Sequence, residues 1–271
     1  VTDPLERIAA ALERLAPAPL TPPDWHAHPA YVWDGRTARG VDRIEAPALA
    51  QLIGIDRQKD LVTANVARLA RGHAAHDMLL WGARGMGKSA LVRAAAVAGQ
   101  QNGGSLALVQ VAADALASLP ALFLQLASER RNFLVYLDDL GFAEVDTGGP
   151  RHLRSWLEGG VEARPANVRL AVTSNRRAIV PRHAGEQDDP LNPRDALDDL
   201  QALADRFGLA IGFHNASQDE YLAMIAAHAA PLALAWDEAD ALEWAKRRGA
   251  RSGRTAWQFV TELAGRAGRP T

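Results

Sequence analysis

The chain has no cysteine among its 271 residues. That removes disulfides, thiolate metal sites and cysteine nucleophiles together. It also has no apolar run approaching the ~20 residues that a membrane-spanning helix needs, so neither a span nor a membrane partner is expected. A strong charge of one sign is missing as well: 30 basic residues stand against 32 acidic ones, a formal net charge of −2. No overall basic field argues for nucleic acid, which leaves only local patches to consider. What is present is a hydrophobic fraction of 48% with 23% charged residues, the composition of a soluble globular chain with ample core. The length suits one large domain, or a core with a smaller appendage. Asp3, Glu6 and Arg7 fall within an amphipathic pattern, which is not that of a secretory signal. The sequence opens on Val1, which leaves the position of the native start open.

The most informative stretch runs from Leu79 through Leu80 and Trp81 into Gly82, Ala83, Arg84, Gly85, Met86, Gly87, Lys88 and Ser89. An apolar strand enters a glycine-rich turn, ends on Lys-Ser and continues into a helical run from Ala90. The spacing fits G-x-x-x-x-G-K-[ST], the phosphate-binding loop. Glycines let the backbone curl so that successive N–H groups point at an anion, and the helix adds the positive end of its dipole. Lys88 is expected to reach the β- and γ-phosphates, and the Ser89 hydroxyl to hold Mg²⁺. A nucleoside triphosphate is therefore the expected ligand. That ligand places the chain in the cytoplasm.

Around this loop the chain alternates apolar strands with helices. An amphipathic stripe over Leu5, Ile8, Ala9, Leu12 and Leu15 comes first, followed by a proline-rich linker from Ala16 to Pro29. Tyr31 to Trp33 and Val41 to Ile44 read as a hairpin about Asp34-Gly35. Asp56 is expected to cap a helix bearing Leu61, Val62, Asn65, Val66 and Leu69, ending near Arg71-Gly72. His26, His28, His73 and His76 lack a carboxylate or thiol framework and read as exposed loop residues.

Five buried strands follow in the pattern, at 79–82, 106–111, 133–137, 168–173 and 209–213. Helices are expected over 116–131, around Leu153 to Glu158 and over 196–206, with a proline-rich acidic loop from Pro181 to Asp195. Continuous apolar strands alternating with helices predict an α/β fold, a parallel five-stranded sheet with helices on both faces. After His214 the pattern changes to three helices, begun by a Ser217/Glu220 capping box, by Asp237 and by Ser252. The division is thus 1–50 (helix, linker and short strands), 51–214 (nucleotide-binding core) and 215–271 (helical lid).

Asp138, at the end of the third of these strands, supplies the second half of the site, the Walker B carboxylate that orders water around Mg²⁺. Asp139 follows it, placed to polarise an attacking water. A strand-end acidic turn is common, but the pairing with a phosphate loop favours the functional reading. Asn175, at the end of the fourth strand, faces the crevice where open α/β sheets bind ligands. There it could hold the water or the γ-phosphate, or simply form a turn. Arg206, before the fifth strand, is a surface charge by default, and in an oligomer could reach a neighbour's γ-phosphate. Arg254 lies in the first turn of the last helix, where a cation opposes the dipole. That misplacement points to an anion that compensates it.

This order of parts resembles the AAA+ ATPases, over nearly everything from Leu52 to Gly265. Several strings resemble more specifically a bacterial group, the domain-of-unknown-function family 815. They are Gly54-Ile55-Asp56-Arg57-Gln58-Lys59, Leu80-Trp81-Gly82-Ala83-Arg84-Gly85, Leu157-Glu158-Gly159-Gly160, Thr173-Ser174-Asn175-Arg176-Arg177, Asp205-Arg206-Phe207-Gly208-Leu209 and Ser252-Gly253-Arg254. The resemblance implies an ATPase whose adenine pocket is lined by Ile53, Gly54 and Ile55. It implies Lys88 and Ser89 as Walker A, and Asp138 and Asp139 as Walker B. It further implies Asn175 as sensor 1, Arg206 as an arginine finger acting in trans within a homo-oligomer, and Arg254 as sensor 2. Asp139 departs from the glutamate usual in AAA+ enzymes and is one methylene shorter, which leaves open slow hydrolysis or a nucleotide-controlled switch. Asn192-Pro193-Arg194-Asp195 lacks the lysine of a guanine-specificity motif, which favours ATP over GTP. The protein partner is not specified, and the basic run Lys246-Arg247-Arg248 with Arg251 could engage nucleic acid, although such a run is usually a solvated helix C-terminus favoured by the dipole.

Overall fold

The computed structural model describes residues 3, 4, 7, 22–140, 164–175 and 206–270. The Leu5 to Leu15 stripe, the helix around Leu153 to Glu158, the Pro181 to Asp195 loop and all but the last residue of the expected 196–206 helix lie outside them.

Seven strands form one sheet. They are β1 (Ala30–Trp33), β2 (Ala38–Val41), β3 (Met78–Gly82), β4 (Leu106–Val111), β5 (Asn132–Leu137), β6 (Val168–Ser174) and β7 (Leu209–Phe213), in spatial order β2-β1-β4-β5-β6-β3-β7. All five expected strands are present, and the hairpin adds two more at one edge, its second strand lying at Ala38–Val41 rather than at the expected Val41 to Ile44. Its turn is fixed by Asp34, whose Oδ1 accepts from the Arg36 and Thr37 amides at 2.8 Å. The two hairpin strands pair antiparallel, while β1 lies parallel to β4 and every other pairing is parallel. β1 belongs to the sheet because Tyr31 and Trp33 are each only 1% exposed and pack in one apolar cluster with Val109, Leu119 and Phe133. The sheet is therefore wider than the five strands that continuous apolarity alone predicts.

Both faces are covered. On one, α1 (Asp56–Ala70) and α2 (Lys88–Gln101) bring Val62, Val66, Leu91 and Val92 against Leu80, Leu134 and Tyr136. On the other, α3 (Leu119–Ala127) sets Leu119, Leu122 and Leu126 against Leu79, Val109 and Val135. Each fully buried leucine of this kind contributes ~1.5–3 kcal/mol. Three details differ from the sequence pattern. Asp56 does not cap α1: Ile55 is the N-cap residue, and the Asp56 carboxylate instead pairs with Lys59 at 2.6 Å within the first turn. The helix expected from Leu116 is split into a 3-10 turn at Ala113–Ser118 and α3, because Pro120 sets a new helix start at its first turn. Leu124 faces outward, 73% exposed, since its period places it opposite Leu122 and Leu126.

The last part is all helical: α4 (Gln218–Ala229), α5 (Glu238–Arg248) and α6 (Gly253–Arg266). Their caps are those expected. Ser217 Oγ accepts from Glu220 N, Asp237 Oδ1 accepts from the Ala239 and Asp240 amides, and Ser252 Oγ accepts from Thr255 N. Tyr221, Ile225, Phe259 and Val260 join the same apolar cluster as Ile55 and Leu80. The lid thus packs directly on the α1/α2 side of the sheet, the side from which the phosphate loop rises.

Candidate functional site

The loop leaves β3 at Gly82 with φ +114, a conformation L-residues rarely adopt, and a Cβ there would stand 2.2 Å from the Phe213 carbonyl oxygen. That oxygen accepts from Ala83 N at 2.7 Å, tying the loop's start to the end of β7. Gly87 (φ +86) turns the chain into α2, and the helix start has no side-chain cap and no acidic residue in its first turn. The first-turn amides of Lys88, Ser89 and Ala90 have no intrahelical acceptors, so this end of α2 suits an anion. Ile55 and Leu52 lie 3.6 Å from where a Gly87 side chain would begin, so these two side chains pack on the loop, whereas a Cβ on Gly54 would meet Glu220 of the lid.

Lys88 is 5% exposed and donates to three oxygens: Gly82 O at 2.9 Å, Ala83 O at 2.8 Å and Asn175 Oδ1 at 3.0 Å. Burial pushes its ammonium down to about 8, against the pull of Asp139 and Asp138, while Arg254 and Arg84 add repulsion. A polyanion placed here would offset the repulsion from Arg254 and Arg84.

Asp138 is the second node. Its Oδ1 accepts from Ser89 Oγ at 2.7 Å and from Thr173 Oγ1 at 2.7 Å. Burial pushes this carboxyl up, but hydrogen bonding by Tyr136, Ser89 and Thr173, with the nearby Arg93 charge, prevails and holds it below the usual value. Thr173 works in both directions, since its hydroxyl also accepts from Asp139 N at 2.8 Å. Asp139 itself sits at φ +51, a left-handed bend that Asp tolerates better than most residues. The bend carries its carboxylate to Asn175, whose Nδ2 donates to Oδ1, and to within 3.9 Å of Arg84.

Ser89 Oγ and the Asp138 carboxylate are hard oxygen donors already in contact, the type of set Mg²⁺ takes together with waters and phosphate oxygens. The residues present therefore fit that ion. Among the described residues no group of three or more His, Asp or Glu side chains could hold a metal.

The lid closes on this loop. Arg254 N donates to Gly85 O at 3.1 Å, and a Cβ on Gly85 would meet Ser252 Oγ at 2.9 Å and Arg254 Cβ at 3.0 Å. Arg254 is thereby brought beside Lys88, close enough for its charge to be felt there. Arg206 is not brought in. It precedes β7, which begins at Leu209 opposite Met78, whereas the loop leaves the far end of β3 at Gly82. At ~3.3 Å per strand residue, the whole length of the strand separates Arg206 from the loop.

Sequence reasoning missed two features: the two-way role of Thr173 and the main-chain bond between Gly85 and the lid. The only signal for Thr173 was a polar residue closing an otherwise apolar strand.

A family model described as "Protein of unknown function (DUF815)" matches residues 26–267. Solved structures with the same fold include RuvB, the Holliday junction branch migration motor of Thermotoga maritima. It has a TM-score of 0.51 and 19% identity, over 82% of this chain and 66% of that one. They also include the Aeropyrum pernix ORC1 protein in complex with DNA, with a TM-score of 0.54 and 16% identity, over 79% of this chain and 61% of that one. This chain thus spans slightly under two thirds of those proteins' length. A search of the curated proteins finds no match. With the family model spanning nearly all of it, the chain belongs to the DUF815 family and has the fold of the AAA+ P-loop ATPases.

Proposed function

We propose that this protein is a Mg²⁺-dependent AAA+ ATPase that acts as a homo-oligomer on a protein partner in the cytoplasm. The observation that carries the reading is the convergence of Lys88, Ser89, Asp138, Asp139, Asn175 and Arg254 on the loop between Gly82 and Lys88. In this reading the α2 amides and Lys88 bind the phosphates, and Ile53, Gly54 and Ile55 take the adenine. Ser89 and Asp138 would hold the ion, which supplies charge neutralisation on the β- and γ-phosphates when bound. Asp139 orients and polarises the attacking water, Asn175 steers both Asp139 and the γ-phosphate, and Arg254 senses the phosphate from the lid.

Arg206 supports the oligomer. It lies at the opposite end of β7 from the loop, so it would act on a neighbour's γ-phosphate. Lid motion then follows from nucleotide state, through the Gly85 contact with α6.

A second reading is a slow, ATP-gated switch or adaptor. It is supported by Asp139, which is shorter than the usual glutamate and engaged with Asn175 and Arg84. A nucleic-acid role is less favoured. Within the basic run, Arg247 pairs with Glu243 at 3.7 Å, and Arg248 stacks 4.4 Å over Trp244 while donating to Gln258.

Phosphate release with Mg²⁺ and ATP, compared with Lys88→Ala, tests the reading. Turnover at or below that control eliminates the enzyme and leaves the switch, provided nucleotide-dependent partner binding survives. Arg206→Ala should lose turnover while keeping affinity, and mixing it with Lys88→Ala subunits should restore part of the activity. Equal loss of affinity and turnover refutes action in trans.

A further inference from the structure

We propose that Arg84 is a direct ligand of the γ-phosphate, a cation supplied by the phosphate loop itself that exchanges Asp139 for the triphosphate. The inference rests on the ATPase reading of the site.

The backbone on both sides of Arg84 is fastened. Before it, the buried Ala83 donates from N to Phe213 O at 2.7 Å, and its own carbonyl accepts from Lys88 Nζ at 2.8 Å. After it, Gly85 O accepts from Arg254 N at 3.1 Å. The core holds one neighbour and the lid the other, so the loop has a fixed course here. Only the Arg84 side chain can swing, and it is 70% exposed at the loop's rim. Its guanidinium closes a run of side chains across the loop. Lys88 donates to Asn175 Oδ1 at 3.0 Å, Asn175 Nδ2 donates to Asp139 Oδ1, and Asp139 Oδ2 stands 3.9 Å from Arg84 Nη2. A cation thus stands at each end, with an amide and a carboxylate between them.

In the ATPase reading Lys88 takes the β- and γ-phosphates, and Asp139 takes the water beyond them. The γ-phosphate then lies between those two residues, within the span that Arg84 ends. Magnitudes favour an exchange of partners. At 3.9 Å the Arg84–Asp139 pair is beyond hydrogen-bond reach. Both side chains are more than half exposed, which makes such a pair worth little. A phosphate offers more charge and more oxygens, and a guanidinium can meet it with two parallel hydrogen bonds. Bonds of that kind outweigh an exposed pair by about one power of ten in affinity. A diphosphate has no γ-group to draw Arg84 across. The residue therefore lets the loop tell a triphosphate from a diphosphate within one subunit.

The test uses Arg84→Ala and Arg84→Lys in the full chain, with circular dichroism to establish that both are folded. Binding of a fluorescent, slowly hydrolysed ATP analogue and of fluorescent ADP is followed by anisotropy with Mg²⁺. Salt is held at about 0.15 M, where exposed charges more than about 8 Å apart are largely screened. Arg84→Ala should bind the triphosphate about 10-fold more weakly, with ADP affinity unchanged. Arg84→Lys keeps the charge and should recover part of that loss. Wild-type triphosphate affinity in Arg84→Ala overturns the inference and makes Arg84 a surface charge. Equal weakening of both nucleotides also overturns it, since the substitution then disturbs the loop and not a γ-phosphate contact. A lysine variant as weak as the alanine variant overturns it too. If the wild-type chain binds neither nucleotide, the ATPase reading itself fails, and this inference with it.

Discussion

Replacing Thr173 by valine tests the site at its most economical point. One hydroxyl donates to Asp138 and accepts from Asp139 N, so a single atom fixes both members of the acidic pair. Valine keeps the shape at a position that is 1% exposed. The lost bond to a charged acceptor is worth ~1.5–3 kcal/mol, and an orphaned amide costs ~1–3 kcal/mol where water cannot reach it. Asp139 is exposed, which lets water satisfy its amide in part, so a total near 3 kcal/mol is the reasonable sum of these. For a chain of this size each kcal/mol lowers Tm by roughly 2 °C, so a fall of about 6 °C is expected. The functional effect is separate. With Asp138 able to turn and the left-handed bend at Asp139 unsupported, turnover at saturating ATP should fall 10–100-fold, the range typical of groups that orient a metal ligand. Thr173→Ser keeps the hydroxyl and loses one methyl, which costs ~1 kcal/mol. It should therefore melt lower yet retain most turnover. Differential scanning calorimetry and a coupled phosphate assay on the three proteins give the answer. If Thr173→Val melts with the wild type and turns over at the wild-type rate, the hydroxyl does not hold the acidic pair and the geometry assigned to it is wrong.

Two other outcomes follow from the lid. Gly85→Ala combines a strained φ of +78 with a Cβ 2.9 Å from Ser252 Oγ. The left-handed strain alone costs ~1–2 kcal/mol, and undocking α6 should weaken nucleotide binding measured by anisotropy; unchanged affinity would show that the lid contact does not serve the ligand. His228 is the second. Burial lowers its pKa from 6.5, its Nδ1 is buried without a partner, and its ring meets Trp257 edge-on at 5.2 Å. The unfolded chain therefore takes up the proton first as pH falls below 6.5, so stability present above that value is lost between it and the lowered folded pKa. Urea unfolding from pH 7 to 5 should show this slope in the wild type and a shallower one in His228→Phe; identical slopes would remove His228 as the cause.

The sheet and the phosphate loop were legible because each depends on a local signal. Continuous apolar runs are what strands buried on both faces require, and the glycines at 82 and 87 are imposed by positive φ. The lid caps were legible for the same reason, since Ser217, Asp237 and Ser252 act within three residues of themselves. What failed was long-range or competitive. β1 pairs with β4 more than 70 residues later, and nothing in four residues of hairpin announces that partner. Asp56 has the chemistry of a cap but is already helical, because its carboxylate finds Lys59 instead. Thr173 gains its place only when β5 and β6 lie side by side and α2 is set over them.

The aspartate at 139 looks different once its backbone is known. From the sequence it is a shortened glutamate, a loss of reach toward the water it is meant to polarise. In the structure it follows the end of β5 in a left-handed bend at φ +51. Longer side chains are less at ease there than Asp or Asn, whose short polar groups can bond locally. Thr173 accepts from the amide of this residue and Asn175 donates to its carboxylate, so β6 and the residue that follows it grip it from both ends. The bend turns the carboxylate back across the sheet toward Asn175 and Lys88 instead of outward along the strand. Reach is thus set by the backbone as well as by the side chain, and a short acid on a bent support can stand where a longer one on a straight support would. The missing methylene alone therefore does not argue for slow turnover; the contacts that Asn175 and Arg84 make with this carboxylate do.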